Sequence, residues 1–196
     1  MKLQERLPEG VTVKGRFFRM DFDFRNVLRM LDELARDDLM PEAKIFRALR
    51  CLMKRPPRDA APVMEAVKEL LFPETKQNAK KDKITDFEQD ADLIRAAFLQ
   101  SYGINLWRDR LSWFEFSSLL ACIPEGSRYS EILGIRTRPM PPATKWNAEE
   151  RRWLAEAKAR YSVHMTEKER AQQMADGLRS VALSLLTLAE GGGAHE

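Results

Sequence analysis

Histidine and cysteine are the scarcest chemistry-bearing residues of this chain, with two of each among 196 residues. Cys51 and Cys122 form no Cys-x-x-Cys pair and no disulfide framework. Both lie among apolar neighbours, so each is expected to be a small buried hydrophobe. A zinc site needs clustered ligands, and His164, His195 and the two cysteines are scattered. The same scarcity leaves no Ser-His-Asp or Cys-His set. A glycine-rich phosphate loop is also missing. The expected catalytic, cofactor-binding and metal residues are therefore none, and the chain is expected to be no enzyme.

Two further absences narrow the class. No apolar run approaches the ~20 residues of a membrane span. Met1–Arg6 is charged with no apolar stretch behind it, so no signal peptide is recognised and a cytosolic, soluble protein is expected. Charge of one sign is lacking too: 33 basic residues face 30 acidic ones, and the signs are interleaved. A pI near 8.9 therefore gives little support for nucleic-acid binding. What remains is ordinary for a folded domain, with 44% apolar and 32% charged residues and enough length for one sizeable core.

Strand signals are few. Residues 11–20 hold two short β-favouring pieces around Lys14-Gly15, a hairpin signal. Helical periodicity then takes over. Phe24, Val27, Leu28, Leu31, Leu34 and Ala35 make one apolar stripe, with Asp21 or Asp23 placed to cap it. A second helix is expected from Pro41 through Ile45, Leu49 and Leu52 to the stop at Pro56-Pro57. A third carries Val63, Val67, Leu70 and Leu71 and stops at Pro73. Residues 74–83 are polar without period and are expected to be an exposed loop. Thr85-Asp-Phe-Glu88 has the form of a capping box, and the helix it opens is expected to bury Phe87, Ala91, Ile94, Phe98 and Tyr102 before ending at Gly103. Trp113, Phe116, Leu119 and Leu120 make another apolar face, and a short helix is expected over Tyr129–Leu133. Pro139, Pro141 and Pro142 make residues 136–147 an extended linker. Beyond it, residues 148–161 and a helix opened by the box Thr166-Glu-Lys-Glu169 are expected, the latter with Met174, Leu178, Val181 and Leu185 on one face.

Three features could carry function, and each has a plainer reading. Asp86, Glu88, Asp90 and Asp92 could bind a cation, but acids at a helix start are already accounted for by capping and the helix dipole; Asp90 alone falls near the buried stripe, between Phe87 and Ile94, where a bond to a neighbouring element is the alternative to facing water. Arg136, Arg138, Lys145, Trp146, Arg151, Arg152 and Trp153 could stack and pair with single-stranded nucleic acid, yet Glu149 and Glu150 sit among them and no groove-reading motif accompanies them. The helix over 166–190 either completes the core or lies in a groove of another copy or a client.

The middle of the chain adds a resemblance that periodicity does not supply. Asp86-Phe-Glu-Gln-Asp-Ala-Asp-Leu-Ile-Arg-Ala-Ala-Phe-Leu-Gln-Ser-Tyr-Gly-Ile-Asn-Leu106 resembles the core motif of the bacteriophage gene-product-fifteen family, "DFEQDADYIYAAFLQQYGIDL". Leu111-Ser-Trp-Phe-Glu-Phe116 is similar to that family's "LHWWKF", Glu131-Ile-Leu-Gly-Ile-Arg136 to "EIIGYR", and Asp23-Phe-Arg-Asn-Val-Leu28 to "DFRTWL". Leu7-Pro-Glu resembles its "LPE", and the matches span residues 7–138. The family's histidine is Ser112 here, its second tryptophan is Phe114, its "ID" is Ile104-Asn105 and its "YR" is Ile135-Arg136. The resemblance implies a gene between those of the major tail protein and the tape-measure protein of a long-tailed phage or prophage. It implies a tail assembly chaperone, working in the host cytoplasm on the tape-measure protein and on tail-tube subunits, with self-association and no cofactor.

The expected fold is mainly α, with an N-terminal β-hairpin over 1–20, a helical core over 21–135, a proline-containing linker over 136–147 and a C-terminal helical arm over 148–196. The candidate partner-binding residues are Trp107, Trp113, Phe116, Trp146, Trp153, Met174, Leu178, Val181 and Leu185. Phe87, Ile94, Phe98, Trp113 and Phe116 are also the expected core anchors. The rival functions are a nucleic-acid-binding or regulatory phage protein and a structural head–tail or tail component of the virion.

Overall fold

The computed structural model describes residues 4–73 and 84–163, and among these it holds two strands and seven helices. The protein is mainly α with a small antiparallel hairpin at its start, as the periodicity requires. The lysine-rich segment 74–83 lies outside the described residues. So do His164, the Thr166–Glu169 box and the helix carrying Met174, Leu178, Val181 and Leu185.

In the hairpin, β1 (Gly10–Val13) pairs with β2 (Arg16–Arg19), and Val13 stands opposite Arg16. Lys14 and Gly15 both take positive φ, 50° and 76°. That is the mirror-image two-residue turn whose twist matches the flanking strands. Val11 and Met20 are buried beneath it, and β1 packs on α3 (Ala61–Leu71).

Asp23 caps α1 (Phe24–Ala35) by accepting a hydrogen bond from the Arg25 backbone N–H. The stripe expected on α1 is shifted. Phe24, Val27 and Met30 are buried, Leu28, Leu31 and Leu34 are half-buried, and Ala35 is exposed. The side that is buried is set by its neighbours, since α1 packs chiefly on α2 (Pro41–Leu52) and next on α5 (Trp113–Ala121). Pro41 sits at the first position of α2, where its missing N–H would have no partner anyway.

α4 (Ala91–Tyr102) begins six residues after Thr85, so the expected capping box does not open it. Asp86 instead accepts hydrogen bonds from the backbone N–H groups of Glu88 and Gln89 at 2.9 and 3.0 Å and turns the chain there. Phe87 therefore falls in the turn before the helix and is half-buried, where full burial was expected. Gly103 closes α4 in the left-handed conformation with φ 68°. A capping box does open α5, and it is one the periodicity overlooks: Ser112 accepts from the Glu115 N–H, and the Glu115 carboxylate accepts from the Ser112 N–H at 2.9 Å. α6 (Arg128–Thr137) carries the helix through Arg136, into the stretch expected to be linker, because the first proline stands only at 139. α7 (Ala148–Arg160) follows. Cys51 is half-buried, and burial pushes its thiol up. Cys122 is exposed, against expectation, because it is the residue at which α5 ends.

The chain divides into two compact units, Met1–Asp82 with Asp90–Gly134 and Lys83–Gln89 with Ile135–Glu196. The core of the first unit is aromatic. Phe116 stacks on Phe24 at 4.6 Å and on Phe98 at 5.2 Å between ring centroids, with Trp113 at 5.9 Å. Ile94, Trp113 and Phe116 are buried, and Phe98 has no exposed surface. In the second unit the proline segment is fastened to α7: Arg138 pairs with Glu150 at 2.6 Å, Arg151 donates to the Pro141 carbonyl, and Asn147 donates to that of Pro142 at 2.9 Å. Leu154 of α7 is fully buried.

Two stability predictions follow from these contacts. Phe116→Ala removes the ring shared by two stacks and should cost about 3–5 kcal/mol in urea unfolding, with partial collapse of the site setting the lower end. The ion pairs between and beside α1 and α2 are exposed and pH-sensitive. Bidentate bonding to Arg47 lowers the Glu33 pKa, and Arg36 holds the Asp38 carboxyl at about 2. A depressed folded pKa stabilises at higher pH and fades as protons bind. The unfolding-midpoint advantage over Asp38→Asn should therefore be small but complete above pH ~4, narrow as pH falls, and be lost below about 2.

Candidate protein-binding site

Asp23 is the polar centre of the first unit. Its carboxylate is buried, with 8% of the side chain exposed, and faces Arg25 at 3.2 Å and Arg110 at 3.4 Å. Its residue also bridges to Ser112, because the Phe24 N–H donates to the Leu111 carbonyl at 3.0 Å and the Trp113 N–H donates to that of Phe22 at 2.7 Å. Arg110 reaches on to Asp21 at 3.0 Å, and the nearby Asp21 carboxylate holds the Arg110 guanidinium above its ordinary pKa.

This polar centre fixes the loop between α4 and α5. Arg25 donates to the carbonyls of Leu106 and Asp109 at 2.6 and 2.9 Å. Inside the loop, Asp109 accepts from the Asn105 N–H at 2.8 Å, and Asn105 accepts from the Trp107 N–H at 3.0 Å. Leu106 is buried while its neighbour Trp107 is 71% exposed. An indole is thus held out to solvent on backbone that is bonded on both sides. The Arg95 guanidinium lies over it at 5.1 Å and pairs with Asp92 at 2.7 Å. Ala96 and Leu99 continue the same face of α4, and with Leu106 and Trp107 they line a cleft of about 270 Å³. Leu99 is 53% exposed.

The candidate residues divide accordingly. Trp107 stands in this cleft. Trp113 and Phe116 are core side chains, so their exposed area cannot make a contact surface. Trp146 and Trp153 are 88% and 54% exposed in the second unit. Met174, Leu178, Val181 and Leu185 lie outside the described residues. The basic residues around Trp146 are engaged. Arg136 donates to the carbonyls of Ile84 and Tyr161, Arg138 pairs with Glu150, Arg152 pairs with Glu156, and Lys145 lies over Trp146 at 5.4 Å. Among the described residues no group of acids, histidines and cysteines is placed to hold a metal ion. No helix among them is long and apolar enough to cross a membrane.

Periodicity overlooked Leu99 and Arg95. Both were legible: Leu99 is a large apolar residue off the buried stripe of α4, and Arg95 and Asp92 lie on the same face one and two turns before it.

The motifs that resemble the phage family converge here. Asp23–Leu28 supplies the carboxylate and Arg25, the end of the central motif supplies Asn105 and Leu106, and Leu111–Phe116 supplies the bridge and the core aromatics. Two of the departures are put to use. Ser112 caps α5, and Phe114 meets Phe22 edge-on at 5.9 Å. No curated protein and no solved structure matches the chain. A family model, that of the Bacteriophage Gp15 protein, matches residues 3–163, further than the motifs reach and through the whole of α7. With that match covering most of its length, the chain belongs to the Bacteriophage Gp15 protein family and is a phage protein.

Proposed function

We propose that the protein acts in the host cytoplasm as a non-enzymatic binding factor of phage tail assembly, a chaperone that keeps the tape-measure protein in solution. The observation that carries this reading is the exposed Trp107 on its fixed loop beside Leu99. Tryptophan and arginine supply most hot spots in protein interfaces, and pre-organised side chains lose least on binding. A cleft of about 270 Å³ falls below the usual size of a small-molecule pocket and suits one protruding apolar side chain of a protein client. A long helical client offers such side chains repeatedly. The arginines around Trp146 are occupied by carboxylates and carbonyls, which favours a protein client over a nucleic acid.

Co-expression with the tape-measure protein tests the reading. The wild-type chain should raise the soluble fraction of the client. Trp107→Ala should lower affinity by tenfold or more, at least about 1.4 kcal/mol, with its own unfolding midpoint unchanged because the indole is exposed. Equal solubilisation by the variant removes Trp107 from the contact. Recovery of the protein in stoichiometric amount from purified virions would make it a structural component instead.

A further inference from the structure

The turn that carries Trp107 is held at two levels. Its own bonds give it shape. The Trp107 N–H donates to the Asn105 side chain, the Asn105 N–H donates to the Asp109 carboxylate, and the Arg108 and Asp109 N–H groups donate to the Asn105 carbonyl at 2.9 and 2.8 Å. Bonds within a turn do not fix where the turn stands against the rest of the fold. Arg25 does that. Its Nη2 donates to the carbonyls of Leu106 and Asp109 at 2.6 and 2.9 Å, and these two residues flank Trp107 in the chain. Its Nη1 faces both oxygens of Asp23 at 3.3 and 3.2 Å, and its guanidinium lies over the Phe24 ring at 4.6 Å.

We propose that Arg25 is the positioning residue of Trp107, setting where the indole stands without itself touching a client. On the reading that Trp107 contacts the client, Arg25 then sets how tightly the client binds. The cleft cannot place the indole by itself, since Trp107 is 71% and Leu99 53% exposed. Nor can the Arg95 guanidinium above the ring, because it is held by Asp92, whose side chain is 92% exposed, and such surface pairs contribute little. Placement therefore comes from the backbone. Leu106 anchors the start of the turn by burial, and Arg25 adds a grip at Asp109, past the indole. The grip is firm because its base is fixed: Asp23 is buried at the cap of α1, and Phe24 beside it is buried too. Charge-assisted bonds to carbonyls are stronger than neutral ones, and only a planar fork reaches a carboxylate with one nitrogen and two carbonyls with the other.

The test uses the full chain with fluorotryptophan in place of its four tryptophans, the Trp107 signal being assigned by Trp107→Phe. Arg25→Lys is the informative variant, because it keeps a cation beside the buried carboxylate and gives up only the fork. Without client, its Trp107 fluorine signal should move towards that of free tryptophan and the cross-peaks from the indole to the Leu99 methyls should weaken. The Trp146 and Trp153 signals should stay in place. Affinity for the tape-measure protein should fall about fivefold, the cost of one side chain left to be ordered on binding. In a Trp107→Ala background Arg25→Lys should cost nothing further, because it acts through the indole. Val67→Ala, in the core of α3, should lower the melting midpoint with the Trp107 signal unmoved, which separates positioning from general loss of stability. An unmoved Trp107 signal in Arg25→Lys overturns the proposal, as does equal movement in Val67→Ala. Further loss of binding in the double variant overturns it too, by making Arg25 a direct contact. If the signal moves as expected while Trp107→Ala binds the client as tightly as wild type, the positioning stands and the chaperone reading of Trp107 fails.

Discussion

The buried carboxylate of Asp23 ties several elements of the first unit together. Taking Asp23 out of water is expensive unless it is paired and hydrogen-bonded, and the fold satisfies it from several directions. The start of α1, the guanidinium groups of Arg25 and Arg110, and the bridge to Ser112 all meet at this residue. Each partner then does a second job elsewhere. Arg25 holds the Leu106 and Asp109 carbonyls, and Arg110 holds Asp21, whose own N–H donates to the Leu52 carbonyl at the end of α2. The hairpin, α1, α2 and the loop before α5 are thereby referred to a single point. Of the aromatic stack, Phe24 follows Asp23 directly and Phe116 stands four residues after Ser112, so polar register and apolar packing reinforce each other.

Much of this fold is written locally and could be read locally. Lys14-Gly15 specifies its turn, Gly103 its helix end, and Pro41 and Pro73 the start and the stop of helices, because each acts through its own backbone. The readings that failed are those that depend on neighbours distant in sequence. Which side of α1 is buried depends on where α2 and α5 lie, and a stripe of six apolar residues cannot say. Thr85 and Glu88 have the spacing of a capping box, but α4 begins only at Ala91, after a turn in which Asp86 accepts from the Glu88 and Gln89 N–H groups. Ser112 and Glu115 have the same spacing and do form the box, so the motif alone does not separate the two cases.

The candidate site was legible in part. Trp107 stands out as an aromatic in a polar loop, but its exposure follows from Arg25, more than eighty positions earlier, holding the adjacent carbonyls. No local pattern carries that pairing. Trp113 is equally aromatic and wholly different in role, since it faces Phe116 across one turn of α5. The distinction between a core tryptophan and a presented one is a property of the tertiary fold.

The second unit makes the same point about prolines. A run such as Pro139, Pro141 and Pro142 removes backbone donors, but it leaves carbonyls that still need partners. Here Arg151 and Asn147 of the following segment supply them, and Arg138 closes on Glu150. A stretch that composition marks as a spacer is in this way fastened to the helix it precedes. The arginines that do this are the same ones that, counted in the sequence, look available for phosphate. Counting charges overstates what a surface offers, and the informative quantity is the charge left over after the fold has satisfied itself. By that measure the arginine-rich start of α7 offers a phosphate little, since Arg138 closes on Glu150 and Arg152 on Glu156.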